Sequence, residues 1–296
     1  MNRVLTAGFA VLALSAAAVQ AAPAKTPLQG GGPSHGPSHS PGTAVEGSAT
    51  AQASGDGATA SATATCPSGT KAAGGGFDAP SSNDAVAIVY ESVKVRQRGW
   101  RASVQLLDPG DPTSVTLTTY VYCRAHFPAT KSSSQTVPTD GQVQLGPTAS
   151  ASCPSGQVAA AGGFHMPPPL VSPTVTDLFF DSLRSDVSGW DARVVTGPAG
   201  ASSVTSEAYC TKAIPAPVEA AGASAPVGLD GVDGTATASC PAGLTPAAGG
   251  FAQPDGSLVS FFFVHSSRRV GDSWQVQGLH TGGEPAMALH AAGYCA

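Results

Sequence analysis

Residues 66–77 read CPSGTKAAGGGF, residues 153–164 read CPSGQVAAAGGF, and residues 240–251 read CPAGLTPAAGGF. Seven of the twelve columns are identical, and the opening cysteines Cys66, Cys153 and Cys240 stand 87 and 87 residues apart. Further along, each copy carries one tryptophan, Trp100, Trp190 and Trp274. Each then closes on Tyr-Cys: Tyr122-Cys123, Tyr209-Cys210 and Tyr294-Cys295. All six cysteines and all three tryptophans of the 296-residue chain thus occupy repeat-equivalent positions. Self-similarity at a fixed period marks a repeat architecture. The copies span 58–126, 147–213 and 234–296, and the polar stretches between them, 127–146 and 214–233, read as linkers.

Units of roughly 65 residues need a covalent staple. Six cysteines allow fifteen pairings. The repeat selects the one within each copy: Cys66–Cys123, Cys153–Cys210 and Cys240–Cys295. Closing loops of this size stabilises a fold by about 4 kcal/mol in the chain-entropy model. Zinc ligation asks for paired ligands such as Cys-x-x-Cys, which the chain lacks, so no metal or cofactor is expected.

The residues before each opening cysteine alternate strictly: ATAT before Cys66, ASAS before Cys153, ATAS before Cys240. A period of two puts Ala and Cys on one face of a strand and the hydroxyls on the other. Val115, Leu117, Val121 and Cys123 share a phase near the end of the first copy, which places the disulfide on the core side. Trp100 shares a phase with Ala102, Val104 and Leu106, so the tryptophans are expected in the core, together with Phe77, Phe164 and Phe251. The glycine pair before each phenylalanine predicts a bulge or a close backbone approach. A central apolar strand runs through 86–90, 178–180 and 259–264 and ends in Glu91-Ser92, Asp181-Ser182 and His265-Ser266. With about five short strands per copy and no amphipathic helix, the expected fold is all-β: three tandem antiparallel β-sandwich or partly open barrel modules, each with one disulfide.

Before the repeats, residues 1–21 combine Arg3, an apolar run and a Val-Gln-Ala cleavage site, the pattern of a signal peptide. Residues 22–57, rich in Gly, Pro and Ser and holding His35 and His39, read as a disordered tail. A secreted, extracellular protein follows as the expectation, with no membrane association after signal cleavage. A net charge of −5 offers no basic surface of the kind nucleic acid needs.

The arrangement CPxG, GGF, GW, YC resembles tandem cysteine-stapled β-modules of secreted proteins from high-GC bacteria. The likeness covers about two thirds of the chain; the third copy departs from it with Ser273 before Trp274. The resemblance implies a secreted β-module and brings no activity with it.

No nucleophile or metal motif stands out. The expected function is a non-catalytic structural or adhesive protein that binds an extracellular ligand, a glycan or a protein surface. Its alternative is a secreted hydrolase confined to one copy. The third copy's His265, His280 and His290, or loop carboxylates such as Asp108, Asp111 and Asp255, would serve that alternative. By strand phase, Tyr122, Tyr209 and Tyr294 lie opposite the core face, near the hydroxyl rows Thr63/Thr65, Ser150/Ser152 and Thr237/Ser239. This face is the candidate for binding a ligand or for joining the three copies about a pseudo-threefold axis.

Overall fold

The computed structural model describes residues 45–81, 86–107, 114–139, 144–168, 178–196, 203–212, 214–227, 230–254, 260–282 and 287–296. They belong to one compact unit, Pro41–Ala296. The expected signal segment, the tail as far as residue 44, and Asp108, Asp111 and Asp255 lie outside the described residues.

The chain is all-β. The first repeat supplies β1 (Val45–Ser54), β2 (Thr59–Thr65), β3 (Thr70–Asp78), β4 (Val86–Val95), β5 (Gly99–Leu107) and β6 (Ser114–Ala125). The second supplies β7 (Lys131–Pro138), β8 (Gln144–Ser152), β9 (Val158–His165), β10 (Leu178–Leu183), β11 (Gly189–Thr196) and β12 (Ser203–Thr211). The third supplies β13 (Val218–Ala223), β14 (Asp233–Ser239), β15 (Pro246–Ala252), β16 (Ser260–Val270), β17 (Ser273–Gly282) and β18 (His290–Cys295). Each repeat therefore has six strands, one more than the sequence pattern predicts. The additional strand is the first: β1 lies in the stretch read as tail, and β7 and β13 lie in the stretches read as linkers. β7 and β13 are sheet edges with most side chains exposed, whereas β1 alternates and turns Ala49, Ala51 and Ala53 inward. They are held by backbone pairing to the last strand of their own repeat.

Within a repeat the six strands form two half-sheets, β1-β6-β3 and β2-β5-β4 in the first copy. Buried side chains fill the space between them, stapled by Cys66–Cys123, Cys153–Cys210 and Cys240–Cys295. Each staple joins the end of a repeat's second strand to its sixth. Trp100, Trp190 and Trp274 are buried here and donate Nε1–H to Ser92, Ser182 and Ser267 at 2.9–3.0 Å. Fully burying a tryptophan removes ~150–250 Å² from water, about 4–6 kcal/mol at ~25 cal/mol/Å². The first glycine of each GGF pair makes room for it. A Cβ added at Gly75 would sit 2.1 Å from Trp100, at Gly162 1.9 Å from Trp190, and at Gly249 2.2 Å from Trp274.

The half-sheets then join between repeats. β3 pairs with β16, β9 with β4 and β15 with β10, giving three six-stranded antiparallel sheets, each shared by two repeats. The third strand of every repeat meets the fourth strand of another, and the series closes: first to third, third to second, second to first. At the centre, Phe77 and Phe251 each stand edge-on to Phe164, with ring centroids 6.1 and 5.9 Å apart.

Bulges set the phase of the joining strands. On the third strands Ala73, Ala160 and Ala247 are skipped in the pairing register, and these alanines cluster with one another. On the fourth strands the skipped residues are Tyr90, Phe180 and His265. The acidic column is therefore Glu91, Asp181 and Ser266, not Glu91, Asp181 and His265 as the sequence alignment had it. His265 takes the bulge position that Tyr90 and Phe180 hold in the other copies, one residue before the column it was aligned with.

Candidate functional site

The three tyrosines lie at the joins between repeats. The phase argument places them opposite the cystines, and they are opposite them, yet Tyr122, Tyr209 and Tyr294 are buried rather than displayed. The neighbouring repeat covers that face. The ladder between third and fourth strands is short, no more than two paired positions at each join. The second glycine of each GGF pair permits this approach: a Cβ at Gly76, Gly163 or Gly250 would fall 2.2–2.5 Å from the carbonyl oxygen of Ser267, Ser92 or Ser182. Two residues past that serine a backbone N–H needs a partner, and the tyrosine hydroxyl accepts it. Arg269 N–H donates to Tyr122 at 2.7 Å, Lys94 N–H to Tyr209 at 2.6 Å, and Arg184 N–H to Tyr294 at 2.7 Å. Each ring stands edge-on to the tryptophan of the repeat it reaches, at 5.3–5.7 Å. Burial pushes all three phenols well above their ordinary pKa.

A cation tops each tyrosine, and here the three joins differ. Arg269 lies over Tyr122 at 4.5 Å and pairs with Glu46 at 3.2 Å; Arg184 lies over Tyr294 at 4.6 Å and pairs with Glu219 at 3.3 Å. Glu46 stands opposite Tyr122 in the β1–β6 ladder, and Glu219 opposite Tyr294 in the β13–β18 ladder. The residue opposite Tyr209 is Ser132. Lys94, the third cation, donates instead to the Ala72 carbonyl at 2.6 Å and to Thr130 Oγ1 at 2.9 Å. Burial first, and the Lys71 charge second, lower its pKa to about 8. A cavity of about 140 Å³ opens beside it, lined also by Arg96, Ser132, Glu207 and Tyr209.

On the other side of the β4–β5 hairpin, an open groove of about 570 Å³ runs along Thr63 and Thr65 to Arg96, Gln97 and Arg98. Thr63 and Thr65 are exposed, as their phase predicts. The Arg98 guanidinium is anchored by donating Nε–H and Nη2–H to the Cys66 carbonyl. Arg96 holds a left-handed φ of 55°. The turn tips that match Arg96-Gln97-Arg98 in the other repeats read Asp186-Val187-Ser188 and Gly271-Asp272, without arginine. Sequence reasoning passed over this arginine pair because R-Q-R belongs to no repeated column; comparing the three hairpins is the signal that finds it.

The remaining candidates are structural. Glu91 accepts hydrogen bonds from Arg101 and Ser103, and Asp181 pairs with Arg193 and accepts the Gln253 N–H. They lie in different sheets and form no carboxylate dyad. His265 Nε2 lies 3.3 Å from Asp233, while His280 Nε2 lies 3.0 Å from Ser260 Oγ; both rings are buried. His290 is half-buried on β18. Among the described residues no group of three or more His, Cys, Asp or Glu is placed to hold a metal.

Comparison with protein-family models and with curated proteins finds no match.

Proposed function

We propose that this is a secreted, non-catalytic ligand-binding protein that takes an acidic glycan in the groove of its first repeat. The observation carrying this reading is the meeting of an outward hydroxyl row with two arginines in one open groove of a chain whose net charge is −5. Hydroxyl side chains exchange hydrogen bonds with sugar hydroxyls, and a guanidinium presents a fork that fits carboxylate or sulfate. The closed ring of repeats supplies the rigid backing. Three disulfides, typical of proteins matured in an oxidising space, support secretion. The buried state of the Ser260–His280 pair supports a non-catalytic role.

A glycan array probed with the full mature chain at low and at high salt tests this. Uronate-bearing or sulfated glycans should bind, neutral ones should not, and salt should weaken the interaction. Combining Arg98→Ala with Thr65→Ala should weaken binding roughly tenfold or more. Equal binding of neutral glycans, or no effect of the double substitution, would overturn the glycan reading. Turnover of any polysaccharide by the same preparation would overturn the non-catalytic one.

A further inference from the structure

The internal repeat serves as its own control at the three tyrosine joins. In two of them a glutamate from the edge strand reaches the cation over the tyrosine; in the third the glutamate's register position is Ser132 and the cation is Lys94. We propose that the join between the first and second repeats is a binding site for a small monocarboxylate. The ligand's carboxylate takes the place at Lys94 that the carboxylates of Glu46 and Glu219 hold at Arg269 and Arg184. This inference is independent of the glycan groove, which shares only Arg96 and Gln97 with the cavity.

Three features fit such a ligand. The first is charge. An ammonium has three donors, and Lys94 spends two on Ala72 and Thr130. No carboxylate lies within ion-pair distance of it among the described residues. Arg96, which also lines the cavity, makes no hydrogen bond or ion pair to another described residue there. The one carboxylate in the wall, Glu207, accepts the Tyr209 hydroxyl at 2.7 Å. The second is size. A cavity of ~150 Å³ accommodates a benzene-sized molecule, so about 140 Å³ suits a short-chain carboxylate from acetate to butyrate. The third is rigidity: Gln97 exchanges hydrogen bonds with the Thr130 backbone in both directions, fixing the hairpin against the segment that opens β7.

Acetate and butyrate are the probes, titrated into the full chain by calorimetry and by ligand-observed NMR. One saturable site is expected. Ser132→Glu places the missing carboxylate on the protein itself and should weaken both probes roughly tenfold or more, while its melting temperature stays at or above that of the wild type. Lys94→Gln should weaken them comparably without supplying an occupant. Glu219→Ser should open an equivalent site at Arg184 and raise the stoichiometry to two. Absence of saturable binding, or binding indifferent to both Ser132→Glu and Lys94→Gln, would sink the proposal. Loss of glycan binding alone leaves these titrations unchanged.

Discussion

A buried hydroxyl that accepts a backbone N–H cannot be removed without leaving that donor dry, at a cost of about 1–3 kcal/mol. Tyr122→Phe and Tyr294→Phe should each destabilise the protein by that amount in urea melts, because each removes the hydroxyl that accepts the Arg269 or Arg184 N–H. Serine at either position should cost more, since the edge-on contact with tryptophan is lost too. Lys94 carries a different signature. Its ammonium is flanked by Lys71 of β3, by Arg96 of the hairpin, and by Glu207 and Tyr209 of β12. Burial lowers its folded pKa to about 8, so the folded state holds fewer protons than the unfolded chain between about pH 8 and 10.5. The penalty of the buried charge is complete below pH 8 and is relieved as pH rises above it, by about 3 kcal/mol at most. Wild-type stability measured against Lys94→Met should climb across that window; a flat difference would mean an ordinary, solvated lysine.

The elements show which parts of the fold are visible in a sequence. The second and sixth strands declare themselves by Ala-Ser/Thr alternation and by the cystine phase, because one face of each is packed and the other solvated. The tryptophan strand does the same. Two of the first strands are silent: KSSSQTVP and VEAAGA bury almost no side chain, and backbone pairing to the sixth strand is their main tie. With the first strands the Glu46, Ser132 and Glu219 column was lost from view, and so was the site at Lys94. The tyrosine face was read as one that binds a ligand or joins the repeats; which of the two holds depends on pairing between repeats that no local pattern encodes. The glycine pairs were legible as a close approach, and the structure divides the work between them. Gly162→Ala should therefore be among the most damaging single-methyl additions, driving a Cβ into the Trp190 ring within a packed core. A loss of several kcal/mol, or failure to accumulate, is expected; Gly156→Ala, at a turn with open space around it, should cost only the strain of its positive φ.

At the scale of the molecule, each repeat lends half its strands to one neighbour and half to the other, so no repeat owns a complete sheet. Thermal unfolding should be a single cooperative transition rather than three, and calorimetric and van't Hoff enthalpies should agree. Stepwise melting of separate beads would contradict the shared sheets. The same closure bears on ancestry. A contact in which one surface meets a different surface on the next copy builds either an endless filament or a ring, depending on whether the rotation closes; here it closes after three. A free-standing polypeptide of one repeat, such as residues 214–296, already holds both the donor edge and the acceptor edge. Sedimentation of that fragment should reveal a homotrimer, the symmetric assembly from which gene triplication and later drift at a single seam would yield the present chain.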